Sequence, residues 1–244
     1  GGRALESVVG QMLGCRAWAG PDTLAGGPGA GGAWGGGIWL ALGGFPADTL
    51  AEDQDLTIAI QTKGYRVQFD STAIAWTEAP GTVRGLAKQR FRWAYGTLQC
   101  LWKHRAIVRT GEPRGLALVG IPQAWLFQMG FALISPLVDL ALVVSIASTW
   151  LRVEQHGWAQ THQDVLSMGL YWTAFTAIDV LCGWVAYRLE RREKHYPGLL
   201  LVAQRFVYRQ LMYGVVIRAV WNALRGMWVG WGKQERSGRV KASA

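Results

Sequence analysis

Cysteine is almost absent from this sequence. Cys15, Cys100 and Cys182 are all it has, odd in number, far apart and without CxxC spacing. That excludes a disulfide framework and a thiolate metal site, and the three read as free thiols facing cytosol or bilayer. Acidic residues are scarce too, with 16 Asp and Glu against 25 Lys and Arg, a net charge of +9. Such an excess favours an anionic partner: lipid headgroups, phosphate-bearing substrates or nucleic acid. Charge of either sign makes up only 17% of the chain, while half of it is hydrophobic. The mean hydropathy of +0.12 is high for a soluble protein and low for one wholly in a membrane. A polar part joined to an apolar part accounts for that average. No HExxH, Walker or GxSxG pattern occurs. No signal peptide and no initiator Met opens the chain, which begins Gly1-Gly2-Arg3 and reads as a fragment.

What is abundant is tryptophan, with 14 residues, and indoles collect at membrane interfaces. Two of them lie in 82–105, a run that reads as one amphipathic helix with Thr82 as its N-cap. Val83, Ala87, Phe91, Ala94, Leu98 and Leu101 recur at steps of three and four and predict an apolar stripe. Gln89, Arg92 and Trp93 fall on the opposite side, presenting an amide, a guanidinium and an indole together.

Ahead of that helix, residues 4–18 have helical spacing and 26–37 are very rich in glycine. The glycines suit either a loosely specified loop or a backbone that must approach a substrate closely. They match no dinucleotide fingerprint. A helix is expected from about Asp48, with Leu56, Ala59 and Ile60 buried and Gly64 just past its end. Residues 65–69 alternate as a strand should, and 73–76 form a second short strand.

Beyond Arg109 the composition turns apolar. Residues 116–151 carry one charge, Asp139, and a Ser135-Pro136 break, and are too long for a single span. They divide into an interfacial stretch, 116–130, and a span, 131–151. Residues 165–187 form a second span with one charge, Asp179; 199–224 is a third span or an interfacial helix. The loop 152–164 has Arg152 as its only Lys or Arg, whereas the flanks, 188–196 and the tail are basic. By the positive-inside rule the N-terminal part faces the cytoplasm. Intramembrane carboxylates are costly, so Asp139 and Asp179 are expected to pair with Arg205, Arg209 or Arg218. His104, His156, His162 and His195 are scattered and read as surface or interface residues.

Glu52, Asp53 and Asp55 are the densest acidic cluster. Capping and the helix dipole explain them as readily as chemistry does. The basic face of the 82–105 helix could equally be a solvated or headgroup-facing surface. The order of features is more specific than any one of them: acidic cluster, strand pair, Gln-x-x-Arg-Trp, then membrane segments.

In Ala51-Glu52-Asp53 and Gln89-Arg90-Phe91-Arg92-Trp93, followed by apolar spans, the chain resembles the processive membrane glycosyltransferases of family 2. These are the cellulose, hyaluronan, chitin and poly-N-acetylglucosamine synthases, which carry Thr-Glu-Asp, then Gln-x-x-Arg-Trp, then transmembrane helices. The likeness is strongest over 43–105 and nearest the poly-N-acetylglucosamine branch, including proteins fused to a polysaccharide deacetylase. Ala51 stands where the family has Thr, Gly26-Gly27 where it has an apolar strand, and Gly35-Gly36 where it often has Arg.

The resemblance implies an α/β fold plus membrane helices. Residues 1–110 would be the C-terminal part of a cytosolic GT-A (Rossmann-like) catalytic domain, and 111–244 a membrane region with a basic tail. It implies an inverting transfer of sugar from UDP-N-acetylglucosamine or UDP-glucose to a growing, exported polysaccharide at a bacterial inner membrane. Asp53, with Glu52 beside it, would be the general base. Gln89, Arg90, Arg92 and Trp93 would bind donor diphosphate and acceptor. Gly29, Gly32, Ala33 and Trp34 would line the acceptor channel. Mg2+ or Mn2+ would be held by an Asp-x-Asp motif upstream of Gly1, so this chain holds no metal ligands of its own and is expected to be inactive alone. Partners would be the nucleotide sugar, the glycan, the bilayer and a small membrane accessory subunit, with no nucleic acid. The competing reading is a non-catalytic membrane transport or scaffold protein with a basic cytosolic module.

Overall fold

The computed structural model of the chain describes residues 23–27, 31–70, 72–73, 80–189, 196 and 198–226. The expected helix at 4–18, Cys15, Gly29, most of the strand at 73–76, His195, most of the basic run 188–196 and the tail after 226 lie outside the described residues. Seven helical elements follow in order: α1 (Gly36–Ala41), α2 (Glu52–Thr62), α3 (Val83–Lys103), α4 (Ala106–Thr110), α5 (Leu116–His156), α6 (Trp158–Leu189) and α7 (Gly198–Leu224). They fall into two compact units. One takes the described residues up to Ala132 and from Leu211 onward; the other runs from Leu133 to Gln210.

In the first unit the helix boundaries follow local chemistry. The Thr82 hydroxyl accepts the Gly85 N–H at 3.1 Å and caps α3, as the sequence predicts. Gly64 ends α2 at φ +84°, and Gly111 ends α4 at φ +77°. Ile58, Leu101, Leu116 and Ile121 are buried in one core with Ile107 of α4 and Val216 and Ala219 of α7. Each such side chain contributes about 1.5–3 kcal/mol. Burial on α2 goes beyond the expected stripe. Leu56 and Ile60 are buried as predicted, but Ile58, Gln54, Asp55, Thr57 and Gln61 are buried as well.

Among the described residues no strand forms, so the α/β architecture is not seen in this part of the chain. Residues 66–70 keep the burial alternation of a strand. Val67 and Phe69 are half-buried against Leu24, while Arg66, Gln68 and Asp70 are exposed; Tyr65, on the side of Val67, is exposed too. Alternation alone makes no strand, because the backbone groups need a neighbouring ladder. Residues 23–27 instead follow α2 and the start of α5. Gln61 Nε2 donates to the Leu24 carbonyl at 2.7 Å. A Cβ on Gly26 would stand 3.1 Å from Gln54 Cγ, and one on Gly120 would stand 2.5 Å from the Thr23 carbonyl oxygen.

The expected break at Ser135-Pro136 is not one, because α5 continues through Pro136. A proline removes a single N–H, and an apolar helix absorbs this by local adjustment of its turns. Wider turns occur earlier in the same run. The Ile121 N–H bonds the Leu116 carbonyl and the Phe131 N–H bonds the Leu126 carbonyl, each five residues back. Residues 116–130 are two-sided, with Leu116, Ala117, Gly120, Ile121 and Ala124 buried and Leu118, Leu126 and Phe127 exposed.

In the second unit the apolar side chains point outward. Leu137, Leu166 and Leu170 are all exposed. Leu116–His156 and Trp158–Leu189 are each long enough, and each hold a stretch apolar enough, to cross a membrane. Asp139 has the kind of partner expected of it. Arg209 Nη2 lies 3.9 Å from its carboxylate, and Gln210 Nε2 donates to it at 3.1 Å. The Arg218 guanidinium lies 5.2 Å from the Phe91 ring centroid. The side chain of Arg205 lies outside those described.

Candidate active site

The site is built where α3 crosses the start of α2. Glu52 and Asp53 open α2, where the helix N-terminus favours negative charge. Asp53 Oδ1 accepts the Gln54 N–H at 2.8 Å and so satisfies one of the orphan donors there. Both carboxylates are half-buried. Burial lifts the Glu52 carboxyl above the usual range and the neighbouring Asp53 adds to this; a backbone hydrogen bond and the charge of Arg92 pull the other way. Arg92 therefore lies within electrostatic reach of Glu52, which relates the start of α2 to the Gln-x-x-Arg-Trp segment.

On α3, Gln89, Arg92 and Trp93 are half-buried, not fully turned to solvent. Arg90 is buried at 9% exposure, with its guanidinium 4.3 Å from the Trp93 ring centroid. That cation–π contact fixes the indole. The simple two-faced helix of the sequence needs correcting at its start and in its middle. Val83, the first residue of the predicted apolar stripe, is 71% exposed, whereas Ala94, Tyr95, Gly96 and Thr97 are buried in succession. The first turn projects beyond the core, and the middle is enclosed on several sides.

That enclosure comes from a seam between α3 and the chain at 49–55. A Cβ on Gly96 would meet Ala51 N at 2.7 Å, Ala51 Cβ at 2.8 Å and the Leu50 carbonyl carbon at 2.9 Å, so the helix and the loop touch backbone to backbone. Around it, Thr97 Oγ1 donates to Gln54 Oε1 at 3.0 Å, the Leu50 N–H donates to Gln99 Oε1 at 2.9 Å, and Cys100 Sγ donates to the Ala51 carbonyl at 3.4 Å. Burial pushes the Cys100 thiol up to about 12, which leaves it an inert core group.

The seam ends in a buried charge cluster. Asp55 is 1% exposed. Its carboxylate accepts hydrogen bonds from Lys103 Nζ at 2.7 Å, His104 Nε2 at 2.6 Å and Thr49 Oγ1 at 3.0 Å, and Lys103 also reaches Asp48 at 2.9 Å. His104 is therefore an internal partner and not the surface residue expected of it. Sequence reasoning missed Gly96, Thr97, Gln99, Lys103 and His104 as a set. The available signal was a glycine and hydrogen-bonding residues sharing one helix face at three- and four-residue spacing, which suits packing on backbone.

Burial by itself would raise the Asp55 carboxyl. The hydrogen bonds from His104 and Lys103 outweigh it and hold the group below the usual aspartate range. A carboxyl held low stabilises the fold above its unfolded value, about 3.9, and loses that contribution as pH falls through the lower folded value. The Lys103 ammonium is opposed by burial, but its bonds to Asp55 and Asp48 raise it. Its contribution is complete below the ordinary lysine value of about 10.4 and fades above it. Thermal melts between pH 6 and about pH 2.5 should therefore fall more steeply for the native protein than for Asp55→Asn. Parallel curves would contradict this assignment.

Gly32 and Ala33 are exposed, Trp34 is half-buried, and the atoms nearest Gly32 belong to the Trp34 indole. Among the described residues no group of three His, Cys, Asp or Glu is placed to hold a metal ion. What the α2–α3 crossing offers is a half-buried carboxylate pair beside a guanidinium and an immobilised indole. Such a set can accept a proton, neutralise an anion and pack on an apolar ring face.

Comparison with known proteins fits that chemistry. Over 65 residues the chain is 40% identical to the "Probable glycosyltransferase YdaM" of Bacillus subtilis (strain 168), covering 27% of this chain and 16% of that protein. Over 55 residues it is 36% identical to the poly-beta-1,6-N-acetyl-D-glucosamine synthase of Staphylococcus aureus (strain COL), covering 22% of this chain and 13% of that protein. The synthase of strain N315 gives the same figures. The chain thus spans only a small part of these relatives' length. No solved structure matches it. The model of the family described as "Glycosyl transferase family group 2" matches residues 15–154, more than half of the chain, and the protein is therefore a member of that family.

Proposed function

We propose that the chain is part of an inverting, processive β-glycosyltransferase that extends an exopolysaccharide from a nucleotide sugar, UDP-N-acetylglucosamine or UDP-glucose. The observation that carries this is the locked crossing of α2 and α3, which sets Asp53 and Glu52 beside the helix that bears Arg92 and Trp93. In this reading the Asp53 carboxylate removes the proton of the acceptor hydroxyl. The freed oxygen forms a bond to the anomeric carbon on the face opposite the diphosphate, and the bond from that carbon to the leaving oxygen breaks. The product is β-linked, and the nucleoside diphosphate leaves. Arg92 neutralises the charge that grows on the leaving group. Trp93, held by Arg90, packs on the acceptor sugar, and Gln89 hydrogen-bonds beside it.

Residues 1–110 then belong to the catalytic domain and 111–244 to a membrane region. The outward apolar surface of α5 and α6 suits lipid, and the two-sided 116–130 stretch suits the interface. A Mg2+ or Mn2+ ion would add to the neutralisation of the diphosphate that Arg92 provides. The test supplies the complete protein, in detergent micelles, with labelled UDP-sugars and an acceptor oligosaccharide. Release of UDP together with growth of labelled polymer is expected from one of them. Hydrolysis without polymer, or no release from any donor, would sink the proposal.

A further inference from the structure

The crossing is fastened at its far end by groups that the transfer step does not use. Asp55 lies two residues beyond Asp53, is 1% exposed and accepts hydrogen bonds from Lys103, His104 and Thr49. Lys103 and His104 close the last turn of α3, an unbroken helix of 21 residues that carries Arg92 near its middle. From Arg92 to Lys103 that helix measures about 17 Å at 1.5 Å per residue. A helix fixed at one end in this way is a rigid rule between the clasp and the site.

We propose that Lys103 and His104 are positioning residues for glycosyl transfer. By clasping Asp55 they hold the first turn of α2, and with it Asp53, at a set distance from Arg92. The inference rests on the glycosyl-transfer reading above. Two physical points favour position over mere adhesion. Burying a carboxylate costs several kcal/mol before its partners repay it, so apolar packing would join the same surfaces as firmly. The apolar anchors of α2, Leu56, Ile58 and Ile60, are buried independently of the clasp. Losing the clasp therefore leaves the helix seated, with the Gly96 contact and the Thr97–Gln54 hydrogen bond in place, but less firmly held along its axis. Reacting groups tolerate little of that, and a displacement near 1 Å costs on the order of 10²-fold in rate.

The experiment compares His104→Leu and Lys103→Met with the conservative His104→Gln and Lys103→Arg, in the complete protein in detergent micelles. Turnover, KM for the UDP-sugar and thermal midpoint are measured for each. Gln restores a donor near the position of His104 Nε2, and Arg restores the cation. The expected result is kcat lowered about tenfold or more in the Leu and Met variants, KM changed less than about twofold, and most of the turnover regained with Gln and Arg. A purely structural clasp would lower the midpoint and leave kcat per folded molecule unchanged, and that result overturns the inference. If His104→Leu does not fold, Lys103→Met decides, since that side chain is 37% exposed. Asp53→Asn is run alongside. Loss of turnover there with normal kcat in the clasp variants refutes the clasp alone. Survival of turnover in Asp53→Asn refutes the enzyme reading, and the clasp proposal with it.

Discussion

Replacing Asp53 by asparagine should lower turnover by about 10²–10⁴-fold, the usual contribution of a positioned general base. The amide has the carboxylate's shape but cannot take the acceptor's proton at neutral pH. Its effect on folding should be small, because an asparagine Oδ1 can still accept the Gln54 N–H that Asp53 accepts at 2.8 Å. Donor binding should also survive, since the cation assigned to the diphosphate is Arg92. The expected pattern is therefore a collapse of kcat with KM for the UDP-sugar unchanged within about twofold. UDP release and polymer growth measure it directly. A variant that keeps more than about a tenth of the native turnover would remove Asp53 from the chemistry and revive the transport or scaffold reading.

Gly96→Val should be the most damaging single change to the fold of the first unit. Even the Cβ of alanine would stand 2.7 Å from Ala51 N and 2.9 Å from the Leu50 carbonyl carbon, both backbone atoms that cannot rotate aside. In a free helix, replacing glycine by a better helix former gains up to about 1 kcal/mol. Overpacking against backbone costs about 1–3 kcal/mol, and valine adds two methyl groups to the clash. The clash wins, and α3 must lift from the start of α2. Lifting it also strains the Thr97–Gln54 and Gln99–Leu50 hydrogen bonds on either side. A lower thermal midpoint and lost turnover are expected together. Gly37→Ala, where an added Cβ meets nothing within 4 Å, should change neither. Equal midpoints for Gly96→Val and the native protein would show that the close crossing is not maintained in solution.

Much of this was legible in the sequence for physical reasons. Helix α3 was visible because a 3.6-residue apolar period and a threonine cap are local properties, and both reappear, the cap at Thr82 and the period over most of the stripe. Gly64 could be read as a helix end because a left-handed residue favours glycine. The Glu52-Asp53 cluster and the Gln89-Arg92-Trp93 face are legible from composition and helical spacing, their roles come from resemblance, and the charge of Arg92 acting on Glu52 relates them in space. The strand at 65–69 misled because alternation records which side chains face a core, while a strand also requires a neighbour to pair with.

The partners of each polar group could not be read from the chain alone. Lys103 and His104 stand 48 and 49 residues from Asp55, and nothing local distinguishes them from a solvated basic end of a helix. Gly96, which nothing local singles out, is where α3 meets the backbone of Leu50 and Ala51. By itself the sequence determined helices α2 and α3, the apolar runs and the residue types available for sugar transfer, because periodicity, capping and hydropathy are short-range properties. Only the tertiary structure decided which faces of α3 are enclosed, and that the acidic helix is pinned through Asp55, because burial and long-range hydrogen bonds exist only once distant segments meet.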